Sequence, residues 1–356
     1  MTTEELTTQS TRPRSPQRAW LWPAVIALFV LTSAFAWSRV GMLDLPSPAR
    51  GLSLQDTGLA DLEQLKAIDD FLRGNEKAES LESAGVFDDT IAGARLVREG
   101  LVSLKDGEAE NGLEKIRAGV RRAPANLALG NAYRMAVFQL QREYLQQSHA
   151  HAVLTPTFPA YLDNEPMAFF ESVLRERNVR EIRLHLALAW VDRMLLFPAL
   201  EIKAPSSVEA VSILTSLLED GNAGYVPALF ARGLNHLHRP ARLVWPESRS
   251  TPLDAAARDI GMCVAIGRKF GASSSRLQAN LAIALGDAYV KAGRLGVARS
   301  WWQIAQNLTD DPGTLDAVRR RYGWHDRDIL DQLESELDRS RSALDTPMTD
   351  LAMMWN

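Results

Sequence analysis

The chain has 356 residues, 46% of them hydrophobic, and its 40 basic and 44 acidic side chains leave a formal net charge of −4. This is enough apolar material for one or two packed cores, and the near balance of charge excludes the basic footprint of a nucleic-acid-binding domain. The single cysteine, Cys263, excludes an internal disulfide; beside Met262 and Val264 on the apolar side of a predicted helix, it reads as a small buried hydrophobe.

Residues 1–18 are rich in Thr, Ser, Pro and Arg and are expected to form a disordered leader. Residues 19–38 then carry no charged side chain. A helix of that length spans about 30 Å, the thickness of a bilayer core. Trp20, Trp22 and Trp37 stand at its ends, where indole rings favour the interface. Pro23 falls in the first turn, where its missing donor is harmless. These features predict one N-terminal transmembrane helix, and lipid contact through residues 19–38. Arg12, Arg14 and Arg18 precede the span and only Arg39 follows closely. The positive-inside rule then keeps the N-terminus in the cytoplasm. In a bacterial cell this places the anchor in the inner (cytoplasmic) membrane and the remaining chain in the periplasm. Ala34-Phe35-Ala36 also satisfies a small-x-small cleavage site, but the long apolar run and long polar leader favour an uncleaved anchor.

Residues 39–56 read as a linker, with a tether at Pro46–Gly51. Beyond it, alternating Val/Ile/Thr runs are missing and long Ala/Leu/Arg/Glu segments dominate, which predicts an all-α domain over residues 57–345. Thr57 to Gly74 forms an amphipathic helix with Leu62, Leu65, Ile68 and Leu72 on one side, suited to capping an array. Acidic side chains outnumber basic ones over residues 57–90, as on a solvated helix face. Residues 93–126 place Leu96, Gly100, Ser103, Gly112 and Ile116 in a small-and-large order around a turn at Gly107, with Pro124 after it. That order fits a helical hairpin.

Leu154 to Pro166 contains three prolines together with Phe158 and Tyr161. It predicts a stiff non-helical loop, a common place for function on a scaffold. Segments 183–197 and 206–220 form a plausible helix pair. Tyr225 to His236, with Gly233 at a close-packing position, pairs with Thr251 to Phe270, where Ala256, Ile260 and Cys263 share a face. The intervening residues 238–250 are too long for a hairpin turn. They carry Arg239, Arg242, Trp245 and Arg249, residue types enriched among interface hot spots. The alternative for Phe158 and Trp245 is that they simply cover the edge of the array.

Residues 279–312 carry the most specific pattern: Ala282-x2-Leu285-Gly286-x2-Tyr289, then Ala298-x3-Trp302. Gly286 and Ala298 are small enough for close helix approach, Tyr289 and Trp302 fill the space between hairpins, and Gly293 stops the first helix. This resembles the tetratricopeptide repeat (TPR) superfamily, whose pattern is W-x2-L-G-x2-Y, A-x3-F and P. Ala282 departs from the opening aromatic. Asp310 stands where proline is expected, and Pro312 follows two residues later. Residues 93–126 resemble a weaker copy. The resemblance implies a TPR-like α-solenoid of helix hairpins with a protein-binding groove lined by the first helix of each pair. Asn280, Ile283, Asp287, Val290 and Lys291 would face it in this unit, and Phe230, Leu234 and Leu237 in the interrupted one. Some members clamp a terminal carboxylate with a Lys/Asn/Arg set. Asp287 stands where asparagine would be needed, so the mixed apolar lining points to a hydrophobic or helical ligand.

Arg319, Arg320, Arg321 and Arg327 cluster around Tyr322, Trp324 and His325, which also suits a solvated helix end. Asp326 to Leu344 is an amphipathic helix with Ile329, Leu333 and Leu337 in register, a candidate cap. Residues 346–356 form an apolar C-terminal tail containing Leu351, Met353, Met354 and Trp355, able to dock on its own protein, a partner or the membrane.

Chemistry-bearing motifs are weak. The histidine pairs 149/151 and 236/238 are two residues apart, so on a helix each pair diverges and makes no natural chelate. No H-E-x-x-H, C-x-x-C, G-x-S-x-G, Walker or Rossmann pattern occurs. No catalytic residue, metal or cofactor is therefore expected, and the chain does not read as an enzyme. It reads as a membrane-anchored adaptor or scaffold that binds membrane or periplasmic proteins. Such a protein would serve as an accessory subunit or assembly factor of a membrane or envelope complex. The alternatives are a periplasmic chaperone for exported proteins, an all-helical envelope enzyme without a local motif, and a scaffold that assembles with itself.

Overall fold

Left-handed glycines follow several of the helices, and side-chain caps at Ser53, Ser274 and Asp311 start three of them. The computed structural model describes residues 45–147, 158–197, 200–239, 251–342 and 349–356, and every regular element among them is helical. The short α1 (Leu54–Thr57) opens with a capping box in which Asp56 N donates to Ser53 Oγ and Ser53 N donates to Asp56 Oδ2 at 2.9 Å. Gly58, at φ +70°, ends it, so α2 (Leu62–Arg73) is shorter than the predicted 57–74 helix. Leu65, Ile68, Phe71 and Leu72 of α2 are buried, and α3 (Ala78–Ser83) follows.

The array proper runs through α4 (Asp88–Lys105), α5 (Ala109–Arg122), α6 (Leu127–Gln147), α7 (Met167–Glu176), α8 (Arg180–Leu196), α9 (Leu200–Glu219) and α10 (Val226–His238). It continues through α11 (Thr251–Phe270), α12 (Ser275–Lys291), α13 (Leu295–Leu308), α14 (Pro312–Tyr322) and α15 (Ile329–Ser342), and a 3-10 turn spans Leu351–Met354. Helices α4/α5, α8/α9, α10/α11 and α12/α13 pack as hairpins. The first helices α4, α6, α8, α10, α12 and α14 also touch one another in succession, and each second helix packs on the next first helix. One side of the array is thus built from first helices, as in a stacked repeat. Helix α2 caps it by packing on α4 and α6.

Glycine sets the closest approaches. A Cβ at Gly93 would stand 2.7 Å from the Gly119 carbonyl oxygen, and one at Gly100 would stand 2.5 Å from that of Gly112. The two levels are seven residues, or about two turns, apart, so α4 and α5 meet backbone to backbone along their length. In the 279–312 unit, a Cβ at Gly286 would lie 2.5 Å from Trp302 Nε1 and 3.0 Å from the Ala298 carbonyl. The small-against-large assignment of Gly286, Ala298 and Trp302 therefore corresponds to real contacts. Gly107 and Gly293 close α4 and α12 at φ +86° and +72°. Arg294 N donates to Tyr289 O at 2.8 Å across the second turn, which satisfies an orphan carbonyl of α12. Pro312 sits in the first turn of α14 behind the Asp311 cap, which explains its late position: it begins the next helix.

The leader 1–18, the span 19–38 and residues 39–44 of the linker lie outside the described residues; the rest of the linker is described and runs into α1 at Leu54. Among the described residues no helix is long and apolar enough to cross a membrane. Cys263 is buried between α10 and α11, and burial pushes its thiol well above the ordinary value, as for an inert core residue.

Candidate functional site

A buried polar cluster lies on the first-helix side, where residues 349–356 return to α6. Asn131 and Arg134 are three residues apart on α6 and so share an edge of that helix. Arg134 is fully buried. Its guanidinium donates to Asp192 Oδ2 on α8 at 2.5 Å and to Asn131 Oδ1 at 2.9 Å, and also to the Thr349 carbonyl. Asn131 works in both directions. Its Oδ1 accepts from the Leu351 amide at 3.0 Å, and its Nδ2 donates to Asp350 Oδ1 at 2.7 Å. The Thr349 hydroxyl donates to Asp192 Oδ1 at 2.5 Å. At the far end, Asn356 Nδ2 donates to Asp69 Oδ2 of α2 at 2.8 Å.

Apolar anchors complete the seat. Leu351, Ala352, Met354 and Trp355 are buried, and Met353 is half-buried. Asp350 accepts from the Ala352 amide at 2.9 Å and so starts the 3-10 turn. The predicted C-terminal tail residues Leu351, Met354 and Trp355 therefore contact this chain's own array.

The electrostatics are those of a closed interior. Burial raises the Asp192 pKa above its ordinary value, with Arg134 and the Thr349 hydroxyl acting against that rise. His185 lies two turns before Asp192 on α8, stacked on Phe170 with ring centroids 5.6 Å apart. A Cβ at Gly130 would stand 2.3 Å from its Nε2, so only glycine leaves room for this ring. Burial, then the Arg134 charge, holds His185 well below its ordinary value and keeps it neutral.

The predicted groove residues sit elsewhere on the first-helix side, and they are not open. Phe230, Leu237, Ile283, Val290 and Leu234 are buried, and Asn280 is half-buried. Asp287 accepts two bonds from Arg321 of α14, at 2.7 and 2.6 Å, and one from Trp302 Nε1 at 3.0 Å. Lys291 Nζ donates to the Arg239 carbonyl at 2.8 Å and pairs with Glu334 of α15 at 2.8 Å. Seven of the eight positions are thus buried and Asn280 is half-buried, and α14 and α15 use Asp287 and Lys291 as internal partners.

The loop candidates divide. Phe158 is half-buried between Tyr144 and Phe197, at 5.7 and 6.0 Å. The Tyr161 carbonyl accepts from Arg117 at 3.2 Å, while Gln141 donates to the Glu165 carbonyl at 2.9 Å. Residues 158–166 are thus fastened to α5 and α6 and cover an edge. Arg239 is half-buried and donates to Ser207 Oγ at 3.3 Å. Arg242, Trp245 and Arg249 lie outside the described residues. Among the described residues no group of three His, Cys, Asp or Glu side chains is placed to hold a metal.

Asn131, Arg134 and Asp192 carry no motif, and sequence reasoning does not single them out. The available signal is an Asn-x2-Arg pair in the otherwise largely apolar first half of α6, together with Thr349-Asp350-Leu351 in an apolar segment.

Comparison with known proteins adds little. No protein-family model matches the chain, and no curated protein matches it. The solved structure of a thermophilic TPR protein of Thermus thermophilus is similar at 18% identity, covering 65% of this chain and 97% of that one, with a TM-score of 0.38.

Proposed function

We propose that this chain is a membrane-anchored adaptor that holds segments of other proteins on the first-helix side of its array, as an accessory subunit or assembly factor of a membrane or envelope complex. One observation carries the reading: Asn131 and Arg134 grip the main chain of an irregular segment through an amide and a carbonyl, the chemistry of segment capture rather than of helix packing. The anchor belongs to the proposal through the uncharged span 19–38 and its tryptophan ends, with the N-terminus in the cytoplasm. Tethering would concentrate the array near membrane partners and make weak capture effective. Arg242 and Trp245, in the stretch 238–250 that the sequence pattern reads as a loop, supply a second proposed contact.

The test is crosslinking in intact cells, followed by purification of the full chain and mass spectrometry. One dominant membrane complex supports the adaptor. A diffuse set of many exported proteins favours a chaperone, and no captured protein removes the adaptor reading. Alanine at both Arg242 and Trp245 should weaken capture; unchanged capture would remove that loop from the proposal.

A further inference from the structure

The seat on α6 and α8 is organised independently of the segment that fills it. Arg134 is held by Asp192 at 2.5 Å and by Asn131 at 2.9 Å, two partners within the array itself. Departure of residues 349–356 would therefore leave no buried charge unpaired, and the main cost of emptying a polar seat is absent. The segment adds no helix to the hairpins. It offers one four-residue 3-10 turn, and it reaches α6 across 219 positions of sequence. Its hold consists of hydrogen bonds from side chains to its main chain and polar groups, with four buried apolar residues behind them.

We infer that residues 349–356 occupy a segment-binding site in cis, and that a partner enters it by displacing them. The chemistry of the occupant specifies the partner: a hydroxyl residue facing Asp192, an acidic residue facing Asn131, a leucine, and an aromatic residue four positions after the leucine. These are the roles of Thr349, Asp350, Leu351 and Trp355. The inference rests on the adaptor reading for its biological occupant, while the displacement itself is tested without one. A site that is open only a fraction of the time has its apparent affinity lowered by that fraction. The cis segment thus acts as a brake on capture.

The probe is a fluorescent synthetic peptide of residues 346–356, added to the full-length chain in detergent. Thr349→Ala and Leu351→Ala together in the full chain should raise peptide affinity about tenfold or more over the unaltered chain, because they raise the open fraction. Adding Asn131→Ala to that variant should abolish the gain. A second measurement needs no variant. Hydrogen exchange of the unaltered chain with excess unlabelled peptide should deprotect the chain's own residues 349–356. A segment that stays protected, with no peptide bound by either chain, overturns the inference and makes 349–356 a fixed part of the fold. Exchange of tails between copies, seen as a concentration-dependent dimer that the peptide dissolves, overturns the partner and assigns the site to a second copy. Proteins captured equally by the unaltered and tail-weakened chains, and not competed by the peptide, leave the adaptor standing and remove this site from it. Peptide exchange with no protein captured does the reverse.

Discussion

The Leu351 amide donates to Asn131 Oδ1 at 3.0 Å, joining two residues 220 positions apart in the chain. That bond ties the end of the described chain to the sixth helix, on the side where the first helices of the hairpins meet. Farther along the same side, Glu334 of α15 pairs with Lys291 and Arg321 of α14 pairs with Asp287. Late parts of the chain therefore cover the first-helix side at two places, over α12 and over α6. The first cover is helical and is locked by buried ion pairs. The second is a short irregular segment, and its seat keeps its own internal pairs. This contrast is why capture is placed on α6 and not on α12.

The Arg134–Asp192 pair should be costly to break singly and cheap to remove whole. Arg134→Ala leaves a buried carboxylate without its cation and is expected to cost about 3–5 kcal/mol. Asp192→Ala should cost a similar amount. The double replacement Arg134→Met with Asp192→Leu should cost clearly less than either single change, because no uncompensated charge remains. Urea unfolding of the full chain in detergent, followed by circular dichroism, measures all three. A double variant no more stable than the singles would mean that the pair's worth lies in its bonds to Asn131 and Thr349.

The glycine contacts between α4 and α5 give a second set of values. Gly119→Ala would put a methyl group 2.5 Å from the Gly93 carbonyl oxygen and 2.7 Å from a Val97 methyl group. The helices would have to separate, at an expected cost of about 1–3 kcal/mol. Gly296→Ala is the matched control: it is also helical, but nothing lies within 4 Å of its would-be Cβ. It should be neutral or stabilising by up to about 1 kcal/mol. The pair of midpoints in one urea series checks this, and equal effects would refute the backbone contact.

Asp287 illustrates a residue whose fate depends on a later helix. Its carboxylate is 2% exposed and receives two bonds from Arg321 and one from the Trp302 indole. Asp287→Asn keeps the shape but leaves a buried guanidinium short of a charge, with an expected loss of about 3–5 kcal/mol. Thermal unfolding reads this directly. An asparagine variant as stable as the parent would show that Arg321 finds another partner.

The fold is largely legible because it rests on short-range signals. Gly286, Ala298 and Trp302 announce a close helix pair within one window of sequence, and the left-handed Gly107 and Gly293 mark both turns. Gly100 and Gly112 are equally readable, whereas Gly93 and Gly119 are not. Their contact repeats the same spacing one level away and needs the register of both helices. The α6 seat is hidden for a different reason. Asn131 and Arg134 look like ordinary polar positions until Asp192, 58 residues away from Arg134, and Thr349, 215 away, are brought beside them. The partners of Asp287 and Lys291 are hidden for a similar reason: the repeat spacing turns both residues toward the groove, while Arg321 and Glu334 arrive from α14 and α15.

Buried histidines make stability fall on mild acidification. The His236 imidazole is pushed down from 6.5 to about 4, first by burial and then by the charges of Arg239 and Arg232. His185 is shifted in the same direction. As pH falls below 6.5, the unfolded chain takes up these protons while the folded chain does not. Stability contributed by the neutral imidazoles is therefore complete above pH 6.5 and is lost downward, at about 1.4 kcal/mol per pH unit for each histidine. For His236 the loss stops near pH 4, where the folded ring protonates too. Asp192 and Glu165, whose pKa values are raised by burial, act with the opposite sign at the acid end. Comparing the chain with its His236→Leu variant removes their contribution, since both proteins contain them. Urea midpoints from pH 7.5 to 4.5 should fall more steeply for the unaltered chain than for the variant. Parallel curves would mean that His236 accepts its proton in the folded state.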